Sequence, residues 1–292
     1  MNRFIGIALI AVSAASFGTL AVFGRYAEAN GIDTYTLLFL RFGIAAILMG
    51  LLLILRRESF PRGKVLLQLI GMGAIGYVGQ SYSYLTAVHY ASPGLVALLL
   101  YLYPVFVAIL SSLVLHEKIT RIKALALGIA LVGTALTISP KGGQLPGILF
   151  ALSAGLIYSF YIIVGTRVMQ KVSALQSSTV IFTSAGLVYA VFMTFNGPHL
   201  PVGLFGWRII AGIVMIATVI PVVTFLAGLK RIGPTNASML STLEPVVTVI
   251  LAAVLFQEAL KPIALLGGGM ILVAVILLTR SELRLEPLPS QS

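Results

Sequence analysis

Apolar residues run through this 292-residue chain in long blocks, broken by short polar or Pro- and Gly-containing punctuation. A helix needs ~20 residues to cross a hydrocarbon layer of ~30 Å, and that is the length of the blocks. They fall at 4–25, 34–55, 65–88, 94–115, 121–138, 146–168, 174–195, 204–229, 235–256 and 261–279. Each predicts one membrane-spanning helix. The first follows Met1-Asn2-Arg3, and its apolar run continues to Phe23, past a signal-peptide core, so it is read as a retained helix.

The pattern repeats. Tyr84 to Leu136 and Phe225 to Leu277 align without a gap at an offset of about 141 residues, with about 15 of roughly 53 pairs identical. Pro93 pairs with Pro234, Pro104 with Pro245, Glu117 with Glu258 and Gly128 with Gly269. Five helices per copy is an odd number, so the second copy enters the membrane from the opposite side. The expected fold is an all-α integral membrane protein of ten transmembrane helices in two inverted five-helix repeats (5+5), residues 1–140 and 141–280. Residues 281–292, with Pro287 and Pro289, are read as a disordered tail.

Composition agrees: 59% hydrophobic and 9% charged residues give a mean hydropathy of +1.07, more apolar surface than one soluble core can bury. No cysteine is present and the three histidines are scattered, so no disulfide, metal or other cofactor is expected. The net charge of +11 does not point to nucleic acid, because Lys and Arg stand at helix ends. About 14 of them fall on the side of the N-terminus and about four on the other, which places both termini in the cytoplasm. The short loops leave no room for a soluble catalytic domain, and no G-x-x-x-x-G-K-[ST] loop for ATP is present.

Candidate chemistry lies inside the spans. Polar stripes at helical spacing are Tyr77, Gln80, Ser81 and Tyr84 on the third helix, and Ser238, Ser241, Thr242, Pro245 and Thr248 on the ninth. Ser13, Ser16 and Phe17 share a face of the first helix, and Tyr158 and Tyr161 one of the sixth. These read either as the lining of an aromatic, hydroxyl-rich cavity or as interhelical glue. Pro104, Pro221 and Pro245 interrupt helix hydrogen bonding and read as packing kinks or hinges. The glycines of 71–79 and Gly267 to Gly269 read as close-packing sites, the latter also as a dimer contact, with monomer and dimer both open.

Arg41 and Glu244 are the ionisable residues deep in spans. Their repeat partners are Phe182 and Tyr103, so the scaffold does not demand either charge. Arg41 is expected to hold a substrate carboxylate or to pair with Glu244; Glu244 to bind an amine, take a proton or bond to nearby hydroxyls. Glu117 and Glu258 recur near water at helix ends and read as structural ties.

Leu243-Glu244-Pro245-Val246-Val247 through Leu255-Phe256-Gln257-Glu258 to Gly267 and Gly269 resembles the second EamA domain of the drug/metabolite transporter superfamily. Tyr103-Pro104-Val105-Phe106 through Leu115-His116-Glu117 to Gly128 is similar to the first, and Arg41-Phe42 to an Arg-Phe pair of that family. The aromatic stretches Gln80-Ser81-Tyr82-Ser83-Tyr84 and Tyr101-Leu102-Tyr103 look most like YddG-type amino-acid exporters, although Phe17 and Tyr158 stand where tryptophans are frequent. The resemblance implies a multi-pass carrier of the bacterial inner membrane, in contact with lipid, exporting amino acids, aromatic ones among them, or related small metabolites. Facilitated diffusion and proton exchange both remain open, and the alternatives are a multidrug or organic-cation exporter and, further off, a lipid enzyme or a channel.

Overall fold

The computed structural model describes residues 2–138, 142–257 and 261–284, and among them the fold is helical, with one isolated bridge between Ala91 and Gly143. Lys141, Glu258 and residues 285–292 of the expected tail lie outside the described residues. The rods are α1 (Asn2–Ala29), α2 (Thr34–Leu55), α3 (63–90), α4 (Pro93–Leu115), α5 (Arg121–Thr137), α6 (Leu145–Val168), α7 (Ala174–Asn196), α8 (Gly203–Ile232), α9 (Pro234–Phe256) and α10 (Pro262–Arg284). Among the described residues eight rods are long and apolar enough to cross a membrane; α3 and α5 are the other two. Rod α5 has 17 residues, and the polar stripe of α3 dilutes its hydropathy. Rod α10 runs on to Arg284, past the apolar block that ends at 279.

Local chemistry sets the boundaries. Asp33 caps α2 by accepting from the Tyr35 and Thr36 amides at 2.9 and 3.1 Å, and Ser173 with Gln176 forms a reciprocal capping box on α7. Rods α4 and α9 each begin on a proline, whose missing N–H is no loss in a first turn. They end on left-handed residues at equivalent places, His116 (φ 55°) and Gln257 (φ 54°).

The helical irregularities also recur at the repeat offset. Rod α4 is interrupted at Tyr101–Leu102 and α9 by a 3₁₀ turn, Ser241–Leu243, each just ahead of its second proline. Rod α3 carries a π-helical stretch, Met72–Tyr77, and α8 another, Met215–Val219. In α8 it precedes Pro221, while the glycine-rich α3 makes the same distortion without a proline. Rod α1 alone is broken at Thr19, and the Thr248 hydroxyl donates to the Gly18 carbonyl at 3.0 Å.

Most packing is between the pairs α2–α7, α5–α10, α1–α8 and α3–α6, each of which joins the two halves. Exchanging the halves turns α1–α8 into α6–α3 and maps the other two pairs onto themselves. Backbones approach where side chains vanish: a Cβ on Gly133 would sit 2.6 Å from the Gly267 carbonyl oxygen. Gly267 therefore packs within the chain, against α5, rather than at a dimer contact, while Gly269 faces open space.

The ends of the rods sort by contact. Glu117 of the α4–α5 loop meets Thr235 at the start of α9, and Ser173 at the start of α7 meets Glu58 of the α2–α3 loop. With Arg56, Arg57, Arg62, Lys64 and Arg231 nearby in sequence, this is the basic end. At the opposite end Arg25 lies over the Phe256 ring at 4.1 Å, and the Gln144 amide donates to the Tyr90 carbonyl at 2.9 Å.

Candidate functional site

The breaks in α4 and α9 bring Tyr101 and Glu244 face to face. Glu244 opens the second helical piece of α9, where unpaired amides and the helix dipole favour a carboxylate. Tyr101 stands at the matching break of α4, within electrostatic range of that carboxyl. Glu244 is half-buried, so it borders an opening rather than packed protein.

Around it the sequence candidates converge. Tyr77, Tyr84, Tyr101, Tyr103 and Tyr158 all lie within electrostatic range of Glu244, and Arg41 does too. Their rings form a continuous wall: Tyr101 to Tyr103 at 6.5 Å, Tyr103 to Tyr158 at 4.8 Å, Tyr158 to Tyr161 at 5.8 Å and Tyr161 to Tyr77 at 5.7 Å between centroids. Phe42 continues the wall, edge-on to Tyr77 at 5.1 Å and stacked on Tyr189 at 5.7 Å. Edge-to-face and offset geometries of this kind suit ring quadrupoles. Four rods, α2, α3, α4 and α6, supply the wall, with Tyr189 added from α7.

Arg41 is buried and locked. Its Nε donates to Thr218 Oγ1 at 2.7 Å and its Nη2 to the Ala217 carbonyl at 3.0 Å, both within the π-helical stretch of α8. It makes no ion pair with Glu244 among the described residues, and Nη1 has no protein partner there. Arg41 is thus a clamp between α2 and α8, with its guanidinium also 5.0 Å from the centre of the Phe42 ring.

The remaining candidates divide. Ser241 donates to the Ala237 carbonyl at 2.9 Å and comes within reach of Tyr103, so it borders the site. Ser13 is interhelical glue, donating to the Pro221 carbonyl at 2.8 Å. Ser81 donates to Gln80 Oε1 at 3.4 Å and lies beside Tyr189. Phe17 packs against the core outside the ring wall. Pro104 and Pro245 stand in the first turn of the second pieces of α4 and α9, and Pro221 in that of α8.

Sequence reasoning did not single out Tyr189, Phe225 or Thr218 as site residues, and named Phe42 only in its pair with Arg41. Tyr189 is buried, its hydroxyl lacks a partner of good geometry, and it belongs to the group around Arg41. Phe42 had a signal in its place beside Arg41; Thr218 had one in its repeat match to Tyr77. Among the described residues no group of three or more His, Cys, Asp or Glu gathers as a metal site would.

Comparison with known proteins gives the same architecture a family. An uncharacterized transporter of Archaeoglobus fulgidus is 31% identical over 94% of this chain and 96% of its own. The uncharacterized transporter YyaM of Bacillus subtilis is 25% identical over 81% of each chain. One crystal structure shares the fold with a TM-score of 0.83 at 20% identity, covering 98% of this chain and all of the other. The model of the EamA-like transporter family matches residues 4–139 and again 145–280. The two matches span nearly the whole chain, which is a membrane transporter belonging to the EamA-like transporter family.

Proposed function

We propose that this transporter exports amino acids, aromatic ones among them, or related small metabolites across the bacterial inner membrane by alternating access. In this reading all ten rods cross the bilayer as two inverted five-helix repeats, and both termini are cytoplasmic, as the clustering of Lys and Arg at one end requires under the positive-inside rule. The observation that carries it is the tyrosine wall between Glu244 and Arg41, whose Nη1 has no protein partner among the described residues. One half-buried carboxylate, one guanidinium and stacked rings between them suit a molecule with an amine, a carboxylate and an apolar body. The deciding experiment is counterflow in liposomes against a panel of amino acids. Trans-stimulated exchange of aromatic amino acids is expected; exchange of none of the panel would end the proposal.

A second reading takes support from the way protein groups hold Arg41. If the clamp is its whole task, the site is one carboxylate ringed by tyrosines, which suits an organic cation. Competition between amino acids and a cationic dyestuff for uptake separates the two. Glu244, the acid deep in a span, is also the group through which proton exchange would run, as against facilitated diffusion.

A further inference from the structure

We propose that Glu117 is a latch that holds the basic end of the cavity shut, and that its bond to Thr235 is the one broken when that end opens. The Glu117 carboxylate accepts from Ser111 Oγ, from Lys123 Nζ at 3.0 Å and from Thr235 Oγ1 at 2.7 Å. Ser111 and Lys123 belong to the same half as Glu117. Thr235, itself 1% exposed, belongs to the other. Two bonds therefore orient the carboxylate and the third joins the halves.

The packing around the latch is one-sided. Tyr103–Leu115 of α4 lies against Pro234–Leu240 of α9, where the Tyr103 hydroxyl donates to the Ser238 carbonyl at 3.3 Å. Every residue of Pro234–Leu240 is buried. The repeat-related pieces, Pro93–Leu100 of α4 and Glu244–Phe256 of α9, make no comparable contact, and most of their residues stay partly accessible. Among the described residues the two halves are therefore joined at the basic end, and these pieces make no comparable contact at the opposite end.

The repeat carries the glutamate but not the groups around it. At the offset of about 141 residues, Ser111 becomes Ala252, Lys123 becomes Ala264 and Thr235 becomes Gly94. All three groups that hold Glu117 are replaced by residues without a donor side chain, although the glutamate itself recurs as Glu258. Burial pushes the Glu117 carboxyl up, but the Ser111 and Thr235 hydroxyls and Lys123 outweigh it and hold it below the usual carboxylate range. It is ionised at neutral pH and acts only as an acceptor, which suits a hydroxyl donor across the gap. Breaking one bond to a charged acceptor, while its other two partners stay in place, gives a gate that opens without leaving the charge unpaired.

The latch rests on the alternating-access reading and not on any substrate, so its test is made without one. The chain has no cysteine, so Lys118→Cys in the α4–α5 loop and Arg231→Cys in the last turn of α8, both exposed, can carry a spin-label pair in the full-length protein in liposomes. Otherwise unaltered protein is expected to give one short distance population. Thr235→Val should add a longer one, with the open-to-closed ratio raised about tenfold, as loss of a hydrogen bond to a charged group implies. Thr235→Ser, which keeps the hydroxyl, should stay short, and Glu117→Gln should lengthen as Thr235→Val does. An unchanged distribution in both Thr235→Val and Glu117→Gln, or lengthening in Thr235→Ser to the same extent, would overturn the latch. Should Thr235→Val not fold, Glu117→Gln against Thr235→Ser decides alone. Failure of every substrate in counterflow would leave these distances untouched.

Discussion

Arg41 and Thr218 meet at 2.7 Å across the interface of the two halves, and the π-helical stretch of α8 presents the Ala217 carbonyl to the same guanidinium. A π-helical turn leaves backbone groups outside the regular ladder, and a planar cation with several fixed donors satisfies them where an apolar residue would not. Phe182 and Tyr77 occupy the repeat-related places, and the α3 distortion packs instead at Gly73 against Ile181 and Ser184 of α7, so no cation serves the duplicated distortion there.

Arg41→Lys replaces the two-point clamp with a single ammonium and should lower stability by about 1–3 kcal/mol, read as a fall in melting temperature in detergent. Thr218→Val should lower it too, by less. If Nη1 of Arg41 holds a substrate carboxylate, Arg41→Lys also weakens carboxylated substrates more than their amides in competition assays; equal losses assign it to the clamp alone.

Glu244→Gln removes the charge and keeps the shape. If Glu244 couples transport to protons, the dependence of flux on a pH gradient should vanish while substrate exchange persists. Dependence that survives the change takes the residue out of that role. Tyr101→Phe, which removes one neighbour of the carboxyl, should alter affinity by only about tenfold or less.

Gly133→Ala drives a methyl group into the Gly267 carbonyl oxygen, a backbone atom that cannot swing away. Separating α5 from α10 should destabilise the protein by about 1–3 kcal/mol. Gly128→Ala and Gly269→Ala meet nothing within 4 Å and should be neutral. Thermal unfolding of the three proteins side by side checks the contrast.

Glu117 has its carboxyl held below the ordinary range, so its contribution is present above that range and is lost as pH falls through the lowered value. Between neutral pH and about pH 3 the unaltered protein should lose more thermal stability than Glu117→Gln. Parallel losses would mean that other carboxylates govern acid sensitivity.

Much of the scaffold was legible in the chain because membranes impose simple rules. A span must be long and apolar, so the blocks show themselves, and α3 and α5 fall short of the span criteria only through a polar stripe and a short length. Pro93 and Pro234 announced helix starts for an equally local reason. The site was legible as residue types only. Tyr77, Tyr84, Tyr101, Tyr103 and Tyr158 were readable as polar-tipped aromatics in spans, but nothing local separates them from Ser13, whose hydroxyl serves packing. Tyr189 escaped notice because the polar residues of its segment, Gln176 to Ser184, lie toward the other end of the helix from it.

The sequence by itself determined the membrane character, the duplication, the bias of charge to one end and the family, because hydropathy, spacing and charge are properties of neighbours along the chain. Tertiary structure decided that the breaks in α4 and α9 face each other, that Arg41 is seated in the distortion of α8, and that Glu117 finds Thr235. Those relations join residues about 120 to 180 positions apart, through a packing geometry that local spacing does not encode. The two halves repeat one pattern in sequence, yet among the described residues Tyr103–Leu115 packs on Pro234–Leu240 while the repeat-related pieces make no comparable contact, a difference that comes from side chains meeting across the halves and not from spacing along the chain.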